Sequence, residues 1–269
     1  RNQLLASFEQ HKQNPGKLGN LELFRKLYGT HPYAHPSEGT AESLPGINRE
    51  QLQAFHQQAY AAGNAVIALV GDLDRAQAEA LVSRVSAALP KGPALPPTVE
   101  AQKPAAGLTH LEFPSKQTHL LLAGLGIDRR DPDYAALYLG NQVFGGGGFG
   151  SRLMTEVREK RGLTYGVYSG FSPMQARGPF SISLQTRADQ SQGTLELVQQ
   201  LLRDFLANGP SEQELDDAKR ELAGSFPLTT ASNADIVGQL GAIGFYDLPL
   251  TWLEDFVALA ATRSFSQAA

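Results

Sequence analysis

Apolar positions along the chain switch between a helical and a strand period, and the switches sketch its elements. In the opening "RNQLLASFEQHKQ", Leu4, Leu5 and Phe8 share one helical face, so the spacing predicts a helix already in progress at residue 1. A loop rich in Pro, His and Gly follows at 29–46; Asn48 then caps a helix through about Tyr60, with Gln51 at the reciprocal capping-box position. "NAVIALVGDL" at 64–73 is a continuous apolar run, short enough for a buried strand, and a helix is predicted from about Arg75 to Leu89. Five prolines between residues 90 and 106 cannot sustain helix or sheet interior, so this stretch reads as a linker that permits hinge motion.

Strands are predicted at about 107–113 and 117–126, a helix at 131–144, and strands at 164–173 and 178–187. Helices are expected at 191–208, 211–226, 232–246 and 250–261, with Ser211 and Glu214 forming a capping box. A faint internal repeat aligns "KRELAGSF" (219–226) with "RNQLLASF" (1–8) at an offset of 218, which also sets Tyr246 on Tyr28. The expected organisation is α+β: two copies of one fold, residues 1–89 forming the end of a first unit, 90–106 the linker and 107–269 a second unit. The helix in progress at residue 1 and the closing "SFSQAA", which carries no stop signal, suggest a fragment in which the first unit lacks its front and the second its tail.

At 269 residues and 42% hydrophobic content the chain can bury one or two ordinary cores. No window approaches the roughly 18 apolar residues of a membrane span, and a formal charge of -4 argues against general phosphate-backbone binding, so nucleic acid is excluded as a general partner. The absence of cysteine removes disulfides, thiolate nucleophiles and sulfur-ligated metals but does not fix a compartment.

Candidate chemistry concentrates in "GGGGFGSRLMTEVREKRGLTY", residues 145–165. Gly145, Gly147 and Gly150 satisfy the dinucleotide G-x-G-x-x-G spacing, yet the preceding segment has helical periodicity and no P-loop Lys-Ser/Thr follows. A structural reading makes the glycines a positive-φ turn between two helices, with Arg152, Glu156, Arg158, Glu159, Lys160 and Arg161 on a solvated face. A third reading makes flexible glycine backbone beside Arg158 and Tyr165 a peptide surface, where an extended peptide adds as a further strand and both side chains face one cavity.

This segment, with "HPYAHPSEGTAESLPGINREQLQAFHQQAYAAGNAVIALVGDLD", resembles the pitrilysin/insulinase-type zinc metallopeptidases, which include mitochondrial processing peptidase. The resemblance covers nearly the whole chain and implies two homologous α/β sandwich domains closing around a peptide. In such proteins zinc is held by an inverted H-x-x-E-H helix and a later glutamate. No H-x-x-E-H occurs here, and Ser7 stands where the third-ligand glutamate is expected; Glu9, two residues on, should face elsewhere. His31 and His35 belong to a loop interrupted by Pro32 and make a poor metal pair, and His11, His56, His110 and His119 lack ligand-like spacing.

The resemblance assigns Arg158 and Tyr165 to substrate binding and oxyanion support, and Gly145, Gly146, Gly147 and Gly148 to a glycine-rich substrate loop, shorter here than in processing peptidase. It implies a non-catalytic subunit or domain that binds no metal itself and pairs as a heterodimer with a zinc-bearing homologue. Two alternatives stay open: an active zinc endopeptidase whose H-x-x-E-H precedes residue 1, and a structural core-type subunit without peptide processing. Bacterial relatives of this kind are often exported, so the implied location is bacterial periplasm or cytoplasm.

Overall fold

A computed structural model describes residues 1–262, and the SFSQAA stretch lies outside the described residues. Two helices open the chain, α1 (Asn2–His11) and α2 (Pro15–Tyr28). Periodicity leaves α2 unassigned, but its start is written locally. Asn14 accepts a hydrogen bond from Lys17 N at 3.0 Å, and Pro15 occupies the first turn, where a missing N–H costs nothing. Helix α3 (Arg49–Ala59) begins at the predicted Asn48–Gln51 capping box, and α4 (Arg75–Ser86) at a second one formed by Asp74 and Gln77.

The strands expected at 64–73 and 107–113 are absent among the described residues. Both runs have strand-like composition, but a strand also needs a neighbour to take up its N–H and C=O groups, and among the described residues none stands beside them. Val66 is instead packed on Gly244, where any Cβ would come within 2.4 Å of Val66 Cγ1, while Leu108 and Leu111 stay exposed.

Residues 90–106 carry neither helix nor strand, as predicted, yet they are fastened from Pro90 to Ala101. Ala62 N donates to Pro90 O at 2.9 Å, Leu95 N to Asn64 Oδ1, and Thr98 Oγ1 to Gln175 Oε1 at 3.0 Å. His31 Nε2 meets Val99 O at 2.8 Å, and Ala101 is buried with Leu27 and Tyr28.

The described sheet is antiparallel, with strands β1 (Gln117–Leu125), β2 (Val167–Phe171) and β3 (Pro179–Arg187) in the order β1-β3-β2. Its register sets His119 opposite Gln185, and both Leu121 and Tyr168 opposite Ser183. Alternation gives the sheet two faces. Leu120, Leu122, Val167, Ile182 and Leu184 turn to the main core. There they meet residues of α5 (Tyr134–Asn141), the 142–159 segment, α6 (Ser191–Asn208) and α7 (Glu212–Ser225), including Phe144, Leu153, Val157, Val198 and Phe205.

The other face receives α2 along β1, an approach that small residues permit: a Cβ at Gly19 would lie 2.9 Å from Leu121 Cδ1. Helices α8 (Asn233–Phe245) and α9 (Trp252–Thr262) complete the described chain, α9 laying Trp252 and Phe256 against Tyr134 with ring centroids 5.4 and 5.7 Å apart. At the offset of 218, α8 and its Ser232 cap fall in register with α2 and its Asn14 cap. The fold is α+β, helices packed on a small antiparallel sheet, as expected.

Candidate substrate-contact site

The glycine run continues α5 rather than following a strand, so it has no dinucleotide-binding context. Residues Gln142–Gly146 widen into a π turn, closed by Gly147 N donating to Gln142 O at 2.9 Å. Gly145 is buried, and a Cβ there would sit 2.5 Å from Ser169 Oγ and 2.9 Å from Ser169 N; at Gly147 it would sit 2.6 Å from Gln142 O. Gly148 alone needs positive φ, at 60°.

This packing closes the outer edge of β2. Asn141 Nδ2 donates to Ser169 O at 3.1 Å, Ser169 Oγ donates to Asn141 Oδ1 at 2.6 Å, and Val167 N points to Met154 Sδ at 3.4 Å. Addition of a peptide strand to β2 beside the glycines, the geometry behind the third reading of the segment, is therefore blocked by the protein's own backbone and side chains.

The charged helix that follows is not one solvated face. Glu156 pairs with Lys160 at 2.6 Å and Arg161 at 2.7 Å, and hydrogen bonds from these two hold its carboxyl below the ordinary range. Arg152 turns inward, donating from Nε (3.0 Å) and a terminal nitrogen (2.6 Å) to Glu214 and lying 4.9 Å over the Phe205 ring. Burial works to raise the Glu214 pKa, but the Arg152 and Ser211 hydrogen bonds and the Arg152 charge together leave it lowered. The predicted Ser211–Glu214 capping box is present, so one carboxylate serves both the helix cap and the ion pair.

Arg158 stacks its guanidinium 4.7 Å from the centroid of Phe149. Gly162, at φ 63°, ends the helix: its N–H donates to Arg158 O and that of Leu163 to Val157 O, while Thr186 Oγ1 holds Leu163 O at 2.7 Å. Thr164 then pinches the chain around the next residue, its hydroxyl donating to Gly166 O at 2.8 Å and accepting from Gly166 N at 3.2 Å. Tyr165 is the residue at that apex, and it is 91% exposed.

Tyr165 rims a shallow groove of about 400 Å³ on the outer face of the sheet, walled by Thr164–Gly166 and floored by Gln117, His119, Leu121, Tyr168, Ser183 and Gln185. Arg158 does not line it. The floor escapes motif reading, although the alternation in "SISLQTR" already sets Ser183 and Gln185 on the face opposite Ile182 and Leu184.

The donors near the expected zinc ligand do not suit a metal. Ser7 Oγ lies 3.3 Å from His11 Nε2, and Glu9 turns away to pair with Lys12 at 2.7 Å. His31 is buried with both ring nitrogens engaged, Nδ1 accepting from Tyr33 N at 3.1 Å and Nε2 meeting Val99 O. Among the described residues no group of three or more His, Asp or Glu is placed to hold a metal ion, and no helix is long and apolar enough to cross a membrane.

Comparison with known proteins places this arrangement. The model of the peptidase M16 inactive domain matches residues 46–222. A Helicobacter pylori protein named non-peptidase homolog YmxG is 29% identical over a match covering 94% of this chain and 58% of its own length. An uncharacterized zinc protease of Mycobacterium leprae is 30% identical, with coverages of 83% and 51%. A crystal structure described as the peptidase M16 inactive domain from Pseudomonas fluorescens superposes with a TM-score of 0.96 at 67% identity, covering 99% of this chain and 64% of that one. The chain thus spans between 51% and 64% of the length of these relatives. The pitrilysin-type resemblance holds, and the chain belongs to the peptidase M16 inactive-domain family.

Proposed function

We propose that this chain is a substrate-holding, metal-free part of a two-part zinc metallopeptidase, paired with a zinc-bearing homologous subunit. The observation that carries this reading is Tyr165: a phenol carried at the apex of a tight, hydrogen-bonded turn, nine-tenths exposed, at the rim of an open groove. A core of this kind does not need such a residue, whereas a partner's active site facing the groove gains a hydrogen-bond donor for a developing oxyanion. Arg158, seven residues earlier, is the second proposed contact; its planar guanidinium, stacked on the Phe149 ring, suits a peptide carbonyl or carboxylate. Of the glycine run, Gly146 is the exposed member through which backbone contact with the peptide is proposed. The name of the Helicobacter relative, a non-peptidase homolog, supports the same division of labour.

The test is Tyr165→Phe in the full-length protein, assayed with its zinc-bearing partner. Turnover should fall by about 10- to 1000-fold, the range of a lost oxyanion donor, with thermal stability unchanged. Unaltered turnover removes Tyr165 from the chemistry. Stoichiometric zinc and cleavage by the full-length protein alone would replace this reading with that of a self-sufficient peptidase.

A further inference from the structure

The groove beside Tyr165 has a chemical character of its own. Three cross-strand rows form its floor: Leu121, Ser183 and Tyr168 in one, His119 and Gln185 in the next, Gln117 at the end. Tyr168 is laid down over Gly166, where a Cβ would meet its ring at 2.9 Å, so the ring serves as a flat side to the groove. Among the described residues the polar side-chain atoms of His119, Ser183, Gln185, Tyr165 and Tyr168 have no hydrogen-bond partner. They converge on one space with donors and acceptors to spare.

Among the described residues no carboxylate, lysine or arginine lines that space. The next cation on the same face of β3, Arg187, is engaged by Asp189 through Nε at 3.0 Å. A charged side chain resting in the groove finds no counter-charge, whereas a neutral amide or hydroxyl finds complementary partners for both its donors and its acceptors.

Resting on the peptide-holding function above, we infer that this groove is a selectivity subsite for an uncharged polar side chain of an extended peptide, glutamine or asparagine above all. It selects against the lysine- and arginine-rich segments that an acidic groove would favour. The amides of Gln117 and Gln185 and the imidazole of His119 read the side-chain amide, and Tyr168 packs along its aliphatic stem.

Fluorescein-labelled short peptides, identical except for Gln, Glu, Lys or Leu at one central position, test this by anisotropy with the full-length protein. The Gln peptide should bind about tenfold more tightly than the Lys and Glu peptides, equivalent to about 1.4 kcal/mol. Gln185→Leu, at an exposed strand position, should level the series while leaving the melting temperature unchanged. A Gln peptide that binds no better than the Lys or Glu peptide, a ranking that survives Gln185→Leu, or no binding by any peptide overturns the inference. Its failure is separable from that of the function it rests on. A flat peptide series with slowed turnover in Tyr165→Phe sinks the subsite alone; a clear Gln preference with unaltered turnover in Tyr165→Phe sinks only the oxyanion role.

Discussion

The two edges of the three-stranded sheet are finished in opposite ways. At β2 two of the outward groups are met by the protein itself, Val167 N by Met154 and Ser169 O by Asn141, with Gly145 pressed against Ser169. At β1 the ladder bonds of the even-numbered residues run inward to β3, as Lys116 O and Gly126 N show just beyond its ends. The odd-numbered residues then point outward, and among the described residues the backbone groups of His119, Leu121 and Ala123 find no partner on that side. Helix α2 covers the face of β1 and leaves its edge alone. The contrast shows that the β2 edge is stoppered against an added strand beside the glycines, whereas the β1 side keeps a row of groups able to pair with another strand.

The largest effect expected is on the closed edge. Gly145→Ala forces a Cβ to within 3 Å of Ser169 Oγ, Leu153 Cδ1 and Ser169 N, two of them rigidly placed, and should cost about 3 kcal/mol in urea unfolding. A loss below about 0.5 kcal/mol would mean that the run is loose and free to act as a loop. Asn141→Leu removes both bonds to Ser169 while keeping the volume, and should cost about 2 kcal/mol by stranding a buried hydroxyl and carbonyl.

Glu214→Gln should cost about 1 kcal/mol at neutral pH, because it breaks a half-buried ion pair and weakens a cap. Its folded pKa lies below the ordinary 4.5, so its contribution is fully present above that value and disappears as pH falls through the lowered one. The acid limb of a stability profile should therefore be shallower in the variant than in the parent, and identical limbs would deny the coupling. The smallest effect carries no energy change at all. In hydrogen exchange of the parent chain, Leu121 and Ala123 amides should exchange faster than those of Leu120 and Leu122, while Val167, although on an edge strand, stays protected; uniform protection along β1 would erase the contrast.

Much of this was legible where the determinants are local. The capping boxes at Asn48 and Ser211 depend on residues three apart, and the Gly162 ending before Tyr165 depends on one residue without a Cβ. The strict alternation of β3 marked its two faces. What was not legible depends on distant neighbours. The apolar runs at 64–73 and 107–113 have strand composition but, among the described residues, no strand beside them; Arg152 reads as surface until Glu214 arrives from another helix, and nothing in the glycine run announces that it will stopper a sheet edge. The groove floor brings together residues from three strands, so no single window of sequence contains it.

The fastened stretch between Pro90 and Ala101 has a mechanical consequence. An extended polypeptide is almost inextensible, at about 3.3 to 3.6 Å per residue. Tied at Ala62, His31 and Gln175, it works as a tie rod: a pull on the helical front of the chain reaches the Met174–Arg177 turn without slack.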